Sequence, residues 1–236
     1  MKKNQVKNQI IVLGDTHGRN LWEKILEKHP QATKVVFLGD YFDSFDIPFK
    51  EQAENFTKIL ALKKAEPERI VLLLGNHDFQ YLPYVTEHYS GYQAENRNHI
   101  SALVDSAVEE GLIKVCYTYK KWVFTHAGIT KNWLKNSGGD IKNLEGSINE
   151  MFNVHPNYFF FTEGINHDNS GDDITQSPLW VRPHSLIENR IDGWKQVVGH
   201  TRQKNIILYD VMFIDTLEFG NEYLIINNDT PSIGQI

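Results

Sequence analysis

The chain has 236 residues, enough for one large domain with a substantial core. Its 41% hydrophobic and 23% charged residues are ordinary for a globular protein, and a net charge of −6 argues against a general nucleic-acid binder, which needs a basic face. A single cysteine, Cys116, excludes an internal disulfide framework and a cysteine-rich zinc site; its apolar surroundings predict a buried structural thiol. No apolar run approaches the roughly 20 residues needed to span a bilayer. The basic, polar N-terminus leads into too short an apolar stretch for a secretory leader, so the expectation is a cytoplasmic chain with no membrane partner.

The first predicted strand, residues 10–14, runs Ile10-Ile11-Val12-Leu13 into Gly14-Asp15-Thr16-His17-Gly18. A helix follows over 20–29, with Leu21, Trp22, Ile25 and Leu26 on one face. The second strand, 34–39, ends in Gly39-Asp40-Tyr41-Phe42-Asp43 and precedes a helix over 50–65 that carries Ala53, Phe56, Ile59 and Leu60. The third, 69–75, ends in Gly75-Asn76-His77-Asp78 and precedes a helix over 95–110. In that helix Ile100, Leu103, Val104, Ala107 and Val108 follow the i, i+3, i+4, i+7, i+8 period, with Gly111 as its stop. Such βαβ alternation implies a mainly parallel sheet with helices outside.

The rhythm then changes. Residues 113–125 read as two strands joined near Lys120-Lys121, the second leading into His126-Ala127-Gly128. The C-terminal third reads as strands at 195–200 (ending in Gly199-His200-Thr201), 205–215 and 222–228, with Gly220-Asn221 as a turn. Strands so closely spaced are expected to pair antiparallel. Between these regions, 136–179 is rich in Asn, Gly, Asp and Ser, with weak periodicity and the cluster Tyr158-Phe159-Phe160-Phe161, of which Phe159-Phe160-Phe161 is read as core packing rather than a base-stacking platform. The predicted fold class is α/β, with two packed mixed β-sheets flanked by helices in a four-layer αββα arrangement. It forms one domain over 1–236, with 136–179 a loop-rich insert over the site mouth.

Five strand ends thus deliver Asp, His and Asn to one side of the sheets, where α/β folds place ligand sites. Asp15 and His17, one residue apart, can turn toward one ion. Asp40 has two carboxylate oxygens and can bridge two, Asn76 offers an amide oxygen, and His126 and His200 offer imidazole nitrogens. That mixture suits manganese, iron or zinc. Two ions about 3.5–4 Å apart would lower the pKa of a water held between them toward roughly 7, giving a hydroxide that can attack phosphorus in line.

The ordered motifs from about residue 10 to 201 resemble those of the calcineurin-like metallophosphoesterases. The resemblance implies a metal-dependent phosphoric ester hydrolase with two divalent ions, manganese first. Asp15, His17 and Asp40 would hold one ion, and Asp40, Asn76, His126 and His200 the other. It further implies that His77 protonates the leaving oxygen and that Asp43 pairs with His77. His126-Ala127-Gly128-Ile129 and Gly199-His200-Thr201 look most like the serine/threonine phosphatase and dinucleoside-tetraphosphatase branch. Ser177-Pro178-Leu179-Trp180-Val181-Arg182 resembles a segment of that branch whose arginine, here Arg182, clamps phosphate. Ser44-Phe45 stands where the branch has Arg-Gly, removing a guanidinium fork that serine cannot reproduce.

The expected reaction is therefore phosphomonoester hydrolysis on a phosphorylated substrate, a phosphoprotein or a nucleotide. Hydrolysis of a dinucleoside polyphosphate or phosphodiester is the rival within enzymes, and an inactive metal-binding scaffold is the rival outside them. Arg19 and Arg202 each follow a ligand motif and are read as solvated or structural. His29, His88, His99, His155, His167 and His184 carry no assigned role.

Overall fold

The structure, a computed structural model, describes residues 8–165 and 170–236; His167 lies outside them. Three apolar runs form β1 (Gln9–Leu13), β2 (Lys34–Phe37) and β3 (Ile70–Leu73), paired in parallel in the order β1-β2-β3. Their crossovers carry α1 (Leu21–Lys28) and α2 (Phe49–Ala65), as parallel pairing requires. A four-residue helix, α3 (Asn76–Phe79), starts directly after β3, and α4 (Arg97–Glu109) ends at Gly111, whose φ is +67°. The chain then adds β4 (Ile113–Lys114) parallel to β3, and β5 (Tyr117–Tyr119) and β6 (Trp122–Phe124) form an antiparallel hairpin around Lys120-Lys121.

After β6 come α5 (Lys131–Ser137), α6 (Leu144–Val154), α7 (Pro183–Glu188), β7 (Lys195–Val198), β8 (Val211–Phe213), β9 (Glu222–Asn227) and β10 (Thr230–Gln235). The first sheet has the order β10-β9-β1-β2-β3-β4 and the second β5-β6-β7-β8. Strand alternation divides the core between the layers. Ile10, Val12, Val36, Leu38, Val71 and Leu73 face Trp122, Phe124, Val197, Met212 and Ile214 between the sheets. Ile11, Leu13, Val35, Phe37, Ile70 and Leu72 face the helices, packing with Trp22, Ile25, Phe56, Ile59, Ile100 and Val104. Leu186 of α7 covers Val198 and Val211 on the outside of the second sheet. This is the expected two-sheet α/β sandwich.

Three features depart from the sequence reading. The expected antiparallel pairing of the 195–200 and 205–215 strands is corrected: β7 and β8 are parallel, and only Val211–Phe213 of the second segment is strand. Residues 199–210 first carry His200 across the sheet end and then return, which makes the connection a crossover long enough for parallel strands. The third segment joins the other sheet, with β9 antiparallel to β1, and β10 was not foreseen. The β9–β10 turn places Asn228 and Asp229 at φ +47° and +73°, the left-handed pair that a tight hairpin needs. Pro231 hides this strand in the sequence, and it is tolerated because β10 is a sheet edge.

The third is α6, within the 136–179 stretch. Its Leu144, Ile148, Met151 and Phe152 are buried at helical spacing. Asn149 of α6 accepts from the backbone N–H groups of Val115 (3.0 Å) and Cys116 (3.1 Å) and donates to the Cys116 carbonyl (2.8 Å), where the chain passes from one sheet to the other. Cys116 is buried and its thiol is pushed up by burial, in keeping with a structural thiol. Phe159 is buried, and Phe160 and Phe161 pack against the same core. Among the described residues no helix is long and apolar enough to cross a membrane.

Candidate metal and catalytic site

The C-terminal ends of β1, β2, β3, β6 and β7 lie together, because parallel strands start and stop in common register. Asp15, Asp40 and His126 present ligand atoms within 4.8 Å of one another, all three side chains buried. Asp40 lies between two imidazoles: its Oδ2 is 3.4 Å from His126 Nε2 and 3.9 Å from His17 Nε2. Asn76 Oδ1 is 2.8 Å from both His126 Nε2 and His200 Nδ1.

The opposite ring nitrogens decide what those atoms are. His126 Nδ1 meets the Leu38 carbonyl (2.8 Å), His17 Nδ1 the Phe42 carbonyl (2.6 Å) and His200 Nε2 the Trp180 carbonyl (3.1 Å). A carbonyl only accepts, so it takes the single N–H of each neutral ring and leaves a lone pair facing inward. Burial holds His17, His126 and His200 below the usual histidine value, so all three are neutral, as metal ligands must be. Lone pairs of His126, His200 and Asn76 therefore converge with no proton between them, a juxtaposition that a cation relieves. The carboxylates say the same. Burial, then repulsion from Asp215 and Asp40, drives Asp15 well above its ordinary value, and burial and Asp40 push Asp215 to about 7. Burial also opposes ionisation of Asp40, yet Asp40 is held low by its neighbours, among them His77, whose own pKa is raised and whose backbone N–H donates to Asp40 Oδ1 (2.9 Å). The residues present fit divalent cations.

Backbone geometry brings these groups into place. Asp78 was left without a role by the sequence reading. Its Oδ2 accepts from the N–H groups of Asp40 (2.8 Å) and Gly75 (2.9 Å), and its Oδ1 from Tyr41 N–H (2.8 Å). It thereby fastens the loop after β2 to the loop after β3. A Cβ on Gly75 would sit 2.0 Å from Asp40 Oδ1, and one on Gly199 equally close to Asp15 Oδ1, so both positions admit only glycine. His200 N–H donates to both Asp15 oxygens (3.1 and 3.0 Å). Asp215, also missed, is buried and repels the Asp15 carboxylate.

Beside this cluster, His77 Nδ1 is 3.0 Å from Asp43 Oδ2. Burial opposes a charged His77, but Asp40 and then Asp43 overcome it and raise its pKa. Asp43 is buried and accepts from Tyr81 OH (2.6 Å), Gln93 Nε2 (3.2 Å) and Gln80 Nε2, all outside the sequence reading. Arg182 donates through Nη1 to His200 O and Thr201 Oγ1 (3.2 Å each) and through Nε to Ser170 O (3.0 Å). Arg19 is engaged by Asp46 (2.8 Å) and Glu218 (3.3 Å), and Arg202 by Glu218 (3.1 Å). Ser44 Oγ donates to Asp46 Oδ1 (2.7 Å).

A sandwich of two mixed sheets with Asp, Asn and His at its strand ends is the architecture of metal-dependent phosphoesterases. The calcineurin-like phosphoesterase family model matches residues 9–204, and the chain belongs to that family. It is 31% identical over 127 residues to the serine/threonine-protein phosphatase PP2A-like PPG1 of Candida albicans, covering 48% of this chain and 29% of that one. It is 33% identical over 91 residues to the serine/threonine-protein phosphatase SIT4 of the same organism, covering 36% and 28%. The matched regions thus span less than a third of either relative. Among solved structures, a Saccharomyces cerevisiae protein serine/threonine phosphatase with similarity to human phosphatase PP5 matches 99% of this chain and 82% of its own, with a TM-score of 0.59 at 14% identity, a likeness of fold.

Proposed function

We propose that this chain hydrolyses phosphate monoesters, in the manner of the serine/threonine phosphatases it partly matches, using two divalent ions, manganese first. The observation that carries the reading is the acceptor-only cluster around Asp40 with the His77–Asp43 pair beside it. Asp15, His17 and Asp40 would hold one ion, and Asp40, Asn76, His126 and His200 the other; the position of Asp40 between His17 and His126 supports its bridging role. When bound, the two ions would supply a hydroxide nucleophile at neutral pH and charge neutralisation at the phosphoryl oxygens. His77, with Nδ1 committed to Asp43, keeps Nε2–H for the leaving oxygen, and the raised pKa of His77 favours the donating form. Arg182, whose Nη1 donates to His200 O and Thr201 Oγ1, would be the guanidinium that grips a phosphoryl oxygen. Residues 136–179 are read as an insert at the site mouth: Ser170 holds Arg182, and Phe161 packs on Trp180, whose carbonyl orients His200.

A second reading, hydrolysis of a dinucleoside polyphosphate or a phosphodiester, is favoured by one observation: the side chain at position 44 is a serine tied to Asp46, which itself offers no guanidinium to a phosphate. The test is His77→Ala. Metal analysis after manganese loading should find about two ions in wild type and variant alike. Turnover should fall by roughly 10²–10⁴-fold with a poor leaving group and much less with 4-nitrophenyl phosphate, which needs little protonation. Equal losses on both would remove His77 from the acid role, and failure of the wild type to take up metal would overturn the two-ion reading.

A further inference from the structure

Phe45 is 71% exposed, an aromatic ring left in water two residues from Asp43. Its backbone is tied down on both sides. Ser44 N–H donates to Gln52 Oε1 (3.4 Å), and Ser44 Oγ holds Asp46 (2.7 Å). Asp46 is gripped in turn by Arg19 Nη2 (2.8 and 3.0 Å). The turn therefore holds Phe45 out, against the hydrophobic tendency of a phenyl ring to fold inward. Its position relative to the chemistry is fixed by Gly91: a Cβ there would lie 3.1 Å from Asp43 Cβ and 3.5 Å from Phe45 Cζ. The ring tip and the stem of the carboxylate that holds His77 thus flank one glycine. Asp43 holds His77, which faces the leaving oxygen in the reaction proposed above, so Phe45 is an exposed aromatic on the loop that carries this pair.

We propose that Phe45 is a stacking platform for a planar aromatic ring on the leaving group of the substrate, and that it selects aryl- or nucleobase-bearing phosphate esters over aliphatic ones. The inference rests on the hydrolase reading of the same site. A ring on a fixed turn loses little conformational freedom when it is covered, and most of this one is open to a partner. The same two positions that remove a charged grip on phosphate thus add an apolar grip on the group attached to it.

Two substrate pairs test this, each differing mainly by the ring: adenosine 5′-monophosphate with ribose 5-phosphate, and O-phosphotyrosine with O-phosphoserine. In Phe45→Ala the kcat/KM ratio within the responding pair should fall about tenfold, chiefly through KM, as expected for loss of one aromatic stacking contact. Phe45→Trp should keep the ratio. A fall in the first pair identifies a nucleobase, and in the second a tyrosyl ring. Unchanged ratios in both pairs would overturn the platform while hydrolysis stands. If manganese-loaded wild type fails to hydrolyse even 4-nitrophenyl phosphate, the hydrolase reading fails. Calorimetric binding of adenosine 5′-monophosphate and O-phosphotyrosine to wild type and Phe45→Ala then decides the platform: about tenfold weaker binding of either by the variant sustains it, and equal affinity for both overturns it.

Discussion

Four of the candidate site residues hold left-handed backbone: His17 (φ +41°), Asp40 (+53°), Asp43 (+65°) and His200 (+62°). Each such residue costs of order 1–3 kcal/mol when it is not glycine, so something must hold it there. For Asp40 the holder is Asp78, whose two oxygens take three backbone N–H groups from two loops. Asp78→Ala would leave those buried donors without their acceptor and should destabilise the fold by more than about 3 kcal/mol. Asp78→Asn keeps the shape but turns an N–H₂ toward backbone N–H groups. It should melt at a lower temperature than wild type, above Asp78→Ala, and bind less manganese, because Asp40 is no longer fixed between His17 and His126. Calorimetry with metal analysis checks both; an Asp78→Asn protein with wild-type metal content would assign Asp78 to folding alone. The proposed ligands themselves were legible in the sequence because each follows an apolar run into a turn. Asp78 was not, since its work is on backbone groups that leave no mark on spacing. Asp215 obeys the same rule as Asp15, following Met212-Phe213-Ile214, but it is concealed by reading 205–215 as one strand.

At the scale of elements, the helices over the first sheet and the strands β1 to β3 match their sequence periods closely, because both faces of a central parallel strand are buried and the apolar run is continuous. One of the misreadings falls where polar side chains serve the backbone. Helix α6 carries an i, i+4, i+7, i+8 apolar face, yet Asn143, Gly146, Asn149 and Asn153 give it the composition of a loop. Asn149 is the reason for one of them, since it satisfies three backbone groups where β4 leaves one sheet and β5 enters the other. Asn149→Leu should therefore cost about 2–4 kcal/mol, most of it from two buried N–H groups and a carbonyl deprived of partners. The melting temperature should drop while kcat on 4-nitrophenyl phosphate at low temperature stays near wild type, because α6 is not among the elements that carry Asp15, Asp40 or His126. A loss of kcat without a loss of stability would place α6 in the catalytic apparatus instead.

At the scale of the molecule, the site is the point where both sheets meet, so ion binding should be felt by the whole fold. Removing divalent ions with a chelator should lower the melting temperature, and returning manganese at about 100 times its dissociation constant should restore roughly 2.7 kcal/mol per site. An unchanged melting temperature would mean that no ion is held in the wild type. The His200 N–H to Asp15 contact joins residues 185 positions apart, and Gly199 is the near neighbour that admits it. On a ribosome adding roughly 5–20 residues per second, Asp15 is made at least about nine seconds before His200. A nascent chain therefore carries only part of the proposed ligand set until residue 200 has been added, so the proposed phosphate-ester chemistry is withheld from every shorter intermediate.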